Sequence, residues 1–438
     1  MNLENIRQHT IKTILQFSVP SIIAMVLTSL ITVADGFFIG NYIGKDGIAA
    51  VNLGLPVIYL FLAIGLMVSV GGVSIAGMSL GAKDFAKCNQ IFRQTIFTTA
   101  LLAVLTGLFV CIFFESMLDF LRAEGCVREY FRTYYRIMLL ELILMVVNSS
   151  FGMFIRGEGN PQFYMKINIL SIFTNIILDY VFAAIFQTGV AGIAAASLIS
   201  AILSLICILW YFRKRAKIYR LGTISFSAEI LKTTFLNGSS EFIGEMSTGI
   251  AMFAYNFVIM RKIGVDGVTA FTIVGYISYV FSMVVIGFGQ GASPLISFTY
   301  GAKESALAQT IRRKTNLLVF IIGIVTILLM TAASGWYGNL FVKNDTVLHM
   351  VRSGMTIFMI SFFFSGINAI TSFYFTSTGK ALESAVISSS RGLVVLLICI
   401  FTLPVYFGMT GVWLAAPVTE GITFGISMFF IKKEPDNP

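Results

Sequence analysis

The chain has 438 residues, 57% hydrophobic and only 12% charged, where a soluble domain carries about 25% charged residues, so water is not its main solvent. Two histidines, His9 and His349, exclude a His-based metal centre, and five scattered cysteines (Cys88, Cys111, Cys126, Cys207, Cys399) without CxxC spacing argue against a metal site or a disulfide framework. The net charge of +9 rests on no separate polar domain, which argues against a nucleic-acid partner.

The N-terminal stretch through Leu15 does not read as a cleavable signal, because no short apolar region with a small-residue cleavage site follows it. A helix needs about 20 apolar residues to cross the hydrocarbon core. Twelve such spans are predicted, at roughly 15–39, 52–78, 92–114, 133–155, 164–186, 190–212, 233–260, 268–294, 315–335, 350–375, 383–405 and 409–431. Connections are short, and the longest polar link, 213–232, is the natural boundary between two halves. The predicted organisation is an N-lobe at 1–212, a cytoplasmic linker at 213–232 and a C-lobe at 233–438.

Lys and Arg placement sets the orientation. With the N-terminus inside, only Lys45, Arg122, Arg128, Arg132, Arg136, Arg261, Lys262, Lys343 and Arg352 face out, Arg391 lies within a span, and the remainder of the 30 fall inside. Both termini are therefore expected in the cytoplasm of a multi-pass cell-membrane protein.

Shifted by 220 residues, the chain matches itself. Ile43-Gly44-Lys45-Asp46-Gly47 falls on Ile263-Gly264-Val265-Asp266-Gly267. Gly71 falls on Gly291, Gly81-Ala82-Lys83 on Gly301-Ala302-Lys303, and Gly159 on Gly379. Each half then carries six spans in the same orientation, a parallel repeat with a substrate site expected at the interface between halves.

Acidic residues at mid-bilayer cost about 2.5–3.5 kcal/mol each on insertion scales, so each needs a reason. Asp35 lies late in span one. Asn175 and Asp179 lie four apart on span five and so share a face. Span four carries Glu141 and Asn148, span seven Glu241 and Glu245, and span twelve Glu420. These residues read either as a protonatable or sodium-binding cluster or as groups that meet water near helix ends. Glu420 and Arg391 could form a structural pair. The repeat does not duplicate the acidic pair, since Asp35 falls on Tyr255 and Asp179 on Cys399, which suggests a local task such as ion coupling. Pro20, Pro56, Pro294, Pro404 and Pro417 and the Gly-rich ends of spans two and eight fit either close helix packing or bending.

These residues together resemble the multidrug and toxin extrusion (MATE) family over nearly the full length. The resemblance rests on the 6+6 plan, Asp35, the two Gly-Ala-Lys segments and Arg156-Gly157-Glu158-Gly159-Asn160-Pro161. Asn175 with Asp179, Gly189-Val190-Ala191-Gly192 and Gly287-Phe288-Gly289-Gln290-Gly291 complete it. The branch most resembled is the bacterial multidrug-export group. The resemblance implies an all-α membrane protein, two six-helix bundles in a V, that exports cations in exchange for H⁺ or Na⁺. It places an ion site on spans one, five and six, which carries over to Asp35, Asn175 and Asp179, with Ser197 in the hydroxyl position. Other members use an acidic residue on span seven, for which Glu241 or Glu245 could serve, and an Asp on span ten, where this chain has only Asn368.

Lipophilic organic cations suit an apolar, adaptable and weakly negative surface. Glu141, Glu241 and Glu245, with Met252 and Phe253 further along span seven, are the expected substrate residues. The expected partners are small cationic substrates and the bilayer, with no cofactor beyond the coupling ion and no obligate protein partner. The alternative is a flippase for lipid-linked saccharides, which would call for a basic cavity, whereas Arg391 is the only base placed mid-span. A membrane enzyme would need a cluster of catalytic His, Cys or metal ligands, and the sequence offers none.

Overall fold

The computed structural model describes residues 2–120 and 124–434, so Arg122, counted above with the outer charges, lies outside the described residues. No strand occurs among the described residues. Among the described residues, eleven helices are long and apolar enough to cross a membrane. The first ten are α1 (Thr10–Tyr42), α2 (Lys45–Gly81), α3 (Phe85–Ile112), α4 (Gly125–Gly157), α5 (Pro161–Ile185), α6 (Gly189–Lys214), α7 (Ala228–Lys262), α8 (Val265–Gly301), α9 (Ser305–Leu340) and α10 (Asp345–Ser377). Most run several residues beyond the apolar windows, because a helix keeps its backbone bonds internal whether lipid or water surrounds it.

The eleventh helix, Ala381–Lys433, is two spans in one. Gly408 breaks its helical backbone at φ 54°, ψ −133°. Arg391 and Glu420, 29 residues apart, meet at 2.9 Å, whereas a straight helix would hold them about 43 Å apart. The chain therefore folds back at Gly408 into α11 (381–407) and α12 (409–433), and the count is twelve.

The 220-residue repeat recurs in the backbone. Gly44 and Gly264 sit at φ 96° and 97°, and Gly159 and Gly379 at 100° and 78°. Lys83 and Lys303 both take φ 62°, a left-handed conformation rare for a side chain with a Cβ. Each follows the end of its half's second helix and closes it in the same way. Asp84 N bonds Ser79 O and Glu304 N bonds Thr299 O, both at 3.0 Å, the wrap that satisfies a helix's last carbonyls.

The chain forms two compact units, one of residues Ile23–Gly238 and one of Asn2–Ile22 with Ser239–Pro438. Each takes in a piece of helix from beyond its own half, and glycine makes room for that piece. In unit 1, a Cβ on Gly71 of α2 would stand 2.1 Å from the Thr234 carbonyl oxygen of α7, and one on Gly238 would stand 1.7 Å from the Met67 oxygen. In unit 2, a Cβ on Gly291 of α8 would stand 2.5 Å from Ser18 Cα of α1. Gly71 and Gly291 are repeat partners, so both halves use the same device.

Residues 215–227 form a strap bound to unit 1. Side chains one helix face apart on α3 hold it: Asn89 donates to the Ile218 carbonyl at 2.8 Å, Arg93 to the Arg220 carbonyl at 2.8 Å and Gln94 to the Ser227 carbonyl at 2.8 Å. Glu158 accepts from the Tyr211 hydroxyl at 2.6 Å and from the backbone N–H groups of Lys217 and Ile218. Tyr219 is fully buried against Phe92. Unit 2 is pinned differently, through hydroxyl pairs such as Ser293 with Ser377 at 2.6 Å and Ser372 with Ser384 at 2.9 Å, contacts that join membrane helices.

Candidate functional site

Asp35 sits on α1, about two turns before its end at Tyr42. The Ser197 hydroxyl of α6 lies 3.5 Å from Asp35 Oδ2, and Asn175 Nδ2 of α5 donates to the same hydroxyl at 3.2 Å. Asn175 and Asp179 are both fully buried. The Asp35 carboxyl is within side-chain hydrogen-bonding reach of Asp179 and Asn175 as well as Ser197. Neither oxygen of Asp179, nor Oδ1 of Asp35, receives a hydrogen bond from a described donor. Two carboxylates that meet without a donor repel each other until one takes up a proton or a cation joins them. Directly after Asp179, α5 widens into a π-turn, Val181–Ile185, a local unwinding frequent at functional sites.

Glu141 of α4, grouped by sequence with the substrate residues, lies instead beside this cluster, within electrostatic reach of Asp35. Its Oε2 has no partner. Tyr134, seven residues earlier on the same helix, lies within electrostatic reach of Asp35, Glu141 and Asp179.

Glu241 and Glu245 lie half-buried on α7 in unit 2, with Glu241 in electrostatic reach of both Glu245 and Arg391. Met252 and Phe253 follow on the same helix, 53% and 72% exposed. The structure thus gathers Asp35, Asn175, Asp179, Ser197 and Glu141 in one unit and Glu241, Glu245, Met252 and Phe253 in the other.

A second polar cluster lies in unit 2. Arg391 binds Glu420 Oε1 through Nη2 at 2.9 Å and Nε at 3.2 Å. Asn368 Nδ2 donates to Glu420 Oε2 at 2.7 Å and to the Glu420 carbonyl at 2.9 Å. Ser427 donates to Asn368 Oδ1 at 3.0 Å. Arg391 also lies in a π-turn, Ser390–Val394.

Two features correct or extend the sequence reading. Arg391 is half-buried, whereas Arg156 and Arg312, assigned to the inner side, are 2% and 4% exposed and stack over Tyr164 and Tyr374. Asn148 and Asn368 are 220 residues apart and do the same work. Asn148 Nδ2 donates to the Ala201 carbonyl at 2.9 Å, as Asn368 does to that of Glu420. The shared offset was a readable signal for that pair.

The MatE family model matches this chain twice, over residues 20–181 and 242–401, once in each half. Multidrug export protein MepA of Staphylococcus saprophyticus is 22% identical over 422 residues, covering 96% of this chain and 93% of that protein. MepA of Staphylococcus haemolyticus is 23% identical over 428 residues with the same coverage. Among solved structures, a MATE crystal structure in the bent conformation aligns with a TM-score of 0.90 at 23% identity, covering 96% of this chain and 94% of that one. A MOP-superfamily transporter from Pyrococcus furiosus aligns at 0.89 and 23% identity, covering 96% and 95%. With the doubled family match, the six-span repeat and a fold shared along nearly its whole length, the chain belongs to the multidrug and toxin extrusion (MATE) family of multi-span membrane transporters.

Proposed function

We propose that this protein exports lipophilic organic cations across the cell membrane in exchange for H⁺ or Na⁺, by alternating access between two lobes. The observation that carries the reading is the Asp35–Asp179 meeting without a donor. Occupied by a proton or a cation, the pair is neutralised and the helices around it pack closely. Emptied, the two carboxylates repel and those helices shift, which supplies the two states that exchange requires. Ser197 and Asn175 orient the pair. Glu141 adds negative potential, and Glu241 and Glu245 would attract a cationic substrate.

The MepA relatives are multidrug export proteins. Orientation with both termini in the cytoplasm is supported by the excess of Lys and Arg on one side. The flippase alternative is disfavoured because Arg391 is held by a carboxylate rather than open to an anionic lipid.

The test is efflux of a fluorescent lipophilic cation from energised vesicles, with an imposed pH gradient compared with a Na⁺ gradient. Movement driven by one of the two is expected, and movement indifferent to both would refute the reading.

A further inference from the structure

The repeat places different chemistry at matched positions. Arg391 and Glu420 correspond to Ser171 and Ser200 in unit 1, where the Ser171 hydroxyl lies 3.4 Å from the Ser200 carbonyl oxygen. Unit 1 thus joins its fifth and sixth helices here with a neutral contact, and unit 2 joins α11 and α12 with an ion pair. A buried ion pair is no better for stability than well-packed apolar side chains, so packing alone does not call for it.

The surroundings of Glu420 are those of a small cation site with the cation built in. One carboxylate oxygen faces the Arg391 guanidinium and the other accepts from Asn368, whose own oxygen accepts from Ser427. Thr423 lies one turn past Glu420 and Thr371 one turn past Asn368. Both are fully buried, and their hydroxyls are without a partner. A carboxylate oxygen with buried, unpartnered hydroxyls one turn away is the kind of oxygen set that a hard monovalent or divalent cation takes. Arg391 supplies positive charge to this carboxylate. The other charged groups facing it are Glu420 on α12 and, on α7, Glu241 within electrostatic reach. Arg391 is held in place by its π-turn and by the next residue, Gly392, where a Cβ would stand 2.6 Å from Ser247 Cβ of α7.

We propose that Arg391 is the resident counter-cation of unit 2 and a residue that determines ion specificity. By holding Glu420 Oε1 it keeps H⁺ and Na⁺ off this carboxylate and leaves unit 1 as the place where the coupling ion binds. The inference rests on the exchange reading above. Its test uses ion binding rather than transport, so the two can fail separately.

Removing the guanidinium should turn the site into a Na⁺ site. Purified protein would be melted in NaCl and in choline chloride at equal ionic strength. In Arg391→Gln, Na⁺ should raise Tm by about 2 °C more than it does in the native protein, the scale of a ligand well above its Kd. The increment should be absent in Arg391→Lys, which keeps the charge, and in Arg391→Gln/Glu420→Gln, which removes the anion. Arg391→Met, closer in volume, replaces the Gln variant if that one folds poorly. No added Na⁺ response in a folded neutral variant, persistence of the response in the double variant, or failure of both neutral variants to fold even in Na⁺ would each overturn the proposal. Failure of the native protein to move substrate would count against the export reading alone.

Discussion

Unit 1 holds Asp35, Asn175 and Asp179 where unit 2, on the positions 220 residues later, holds Tyr255, Val395 and Cys399, which pack together in an apolar cluster. Unit 2 holds Arg391 and Glu420 where unit 1 holds Ser171 and Ser200. In both units the fifth helix of the half carries a π-turn at its polar cluster, Val181–Ile185 after Asp179 and Ser390–Val394 around Arg391. The first cluster lacks a hydrogen-bond donor between its carboxylates, and the second provides its own cation. A duplicated scaffold therefore leaves the position of charge free to diverge, since backbone geometry at Gly44 and Gly264 or Lys83 and Lys303 is retained while the buried polar side chains are not.

The largest expected effect falls on the Asp35–Asp179 cluster. Asp179→Asn supplies an amide that satisfies Asp35 permanently, so gradient-driven export should drop to background while the melting temperature holds or rises. A folded variant with native export would remove unit 1 from coupling. Next comes the paired cluster. Arg391→Ala alone leaves Glu420 uncompensated and should cost about 3–5 kcal/mol, whereas replacing both partners by apolar residues should be close to neutral. Thermal melts of Arg391→Ala and of the double variant measure this, and equal losses for the two would contradict the pairing.

The glycines give a third contrast. Gly71→Ala and Gly291→Ala force a Cβ onto backbone at 2.1 and 2.5 Å and should each destabilise by about 1–3 kcal/mol. Gly244 and Gly275, within helices and with nothing within 4 Å, should gain about 0.5–1 kcal/mol on the same change. Matched losses at all four positions would show that helix propensity, not close approach, governs them.

The smallest effect belongs to the outer surface. Arg132 and Arg128 hold the Glu115 carboxyl down at about 2, against an ordinary value of 4.5. A lowered value means that the contribution is present above pH 4.5 and lost as pH falls toward 2. Glu115 is fully exposed, so solvent screens the pair. Glu115→Gln should barely move Tm at neutral pH, and a large salt-independent loss would contradict this.

The spans were legible because hydrocarbon demands long apolar runs, and the windows 383–405 and 409–431 left Gly408, where the helix breaks, between them. The 220-residue repeat was legible from loop glycines, since the left-handed backbone at Gly44, Gly159, Gly264 and Gly379 restricts what can stand there. Less could be read of partnership. That Glu158 ties down the strap at Lys217 and Ile218, or that α1 seats Ser18 against Gly291, depends on tertiary contacts with no local pattern. Glu141 was separable from Glu241 only by span number, because charge and length look alike on any helix. Asn148 and Asn368 were within reach of the same 220-residue shift, which the acidic residues alone did not reveal.

In the proposed exchange, the Asp35–Asp179 pair gives up its proton or sodium ion as a substrate cation binds. The most direct measurement counts ions released when detergent-solubilised protein binds tetraphenylphosphonium, with a pH electrode for H⁺ and a sodium electrode for Na⁺-loaded protein. Release of one of these ions is expected from the native protein and none from Asp179→Asn, although that variant still binds the cation. Equal release from the variant, or binding by the native protein with neither ion released, would contradict it.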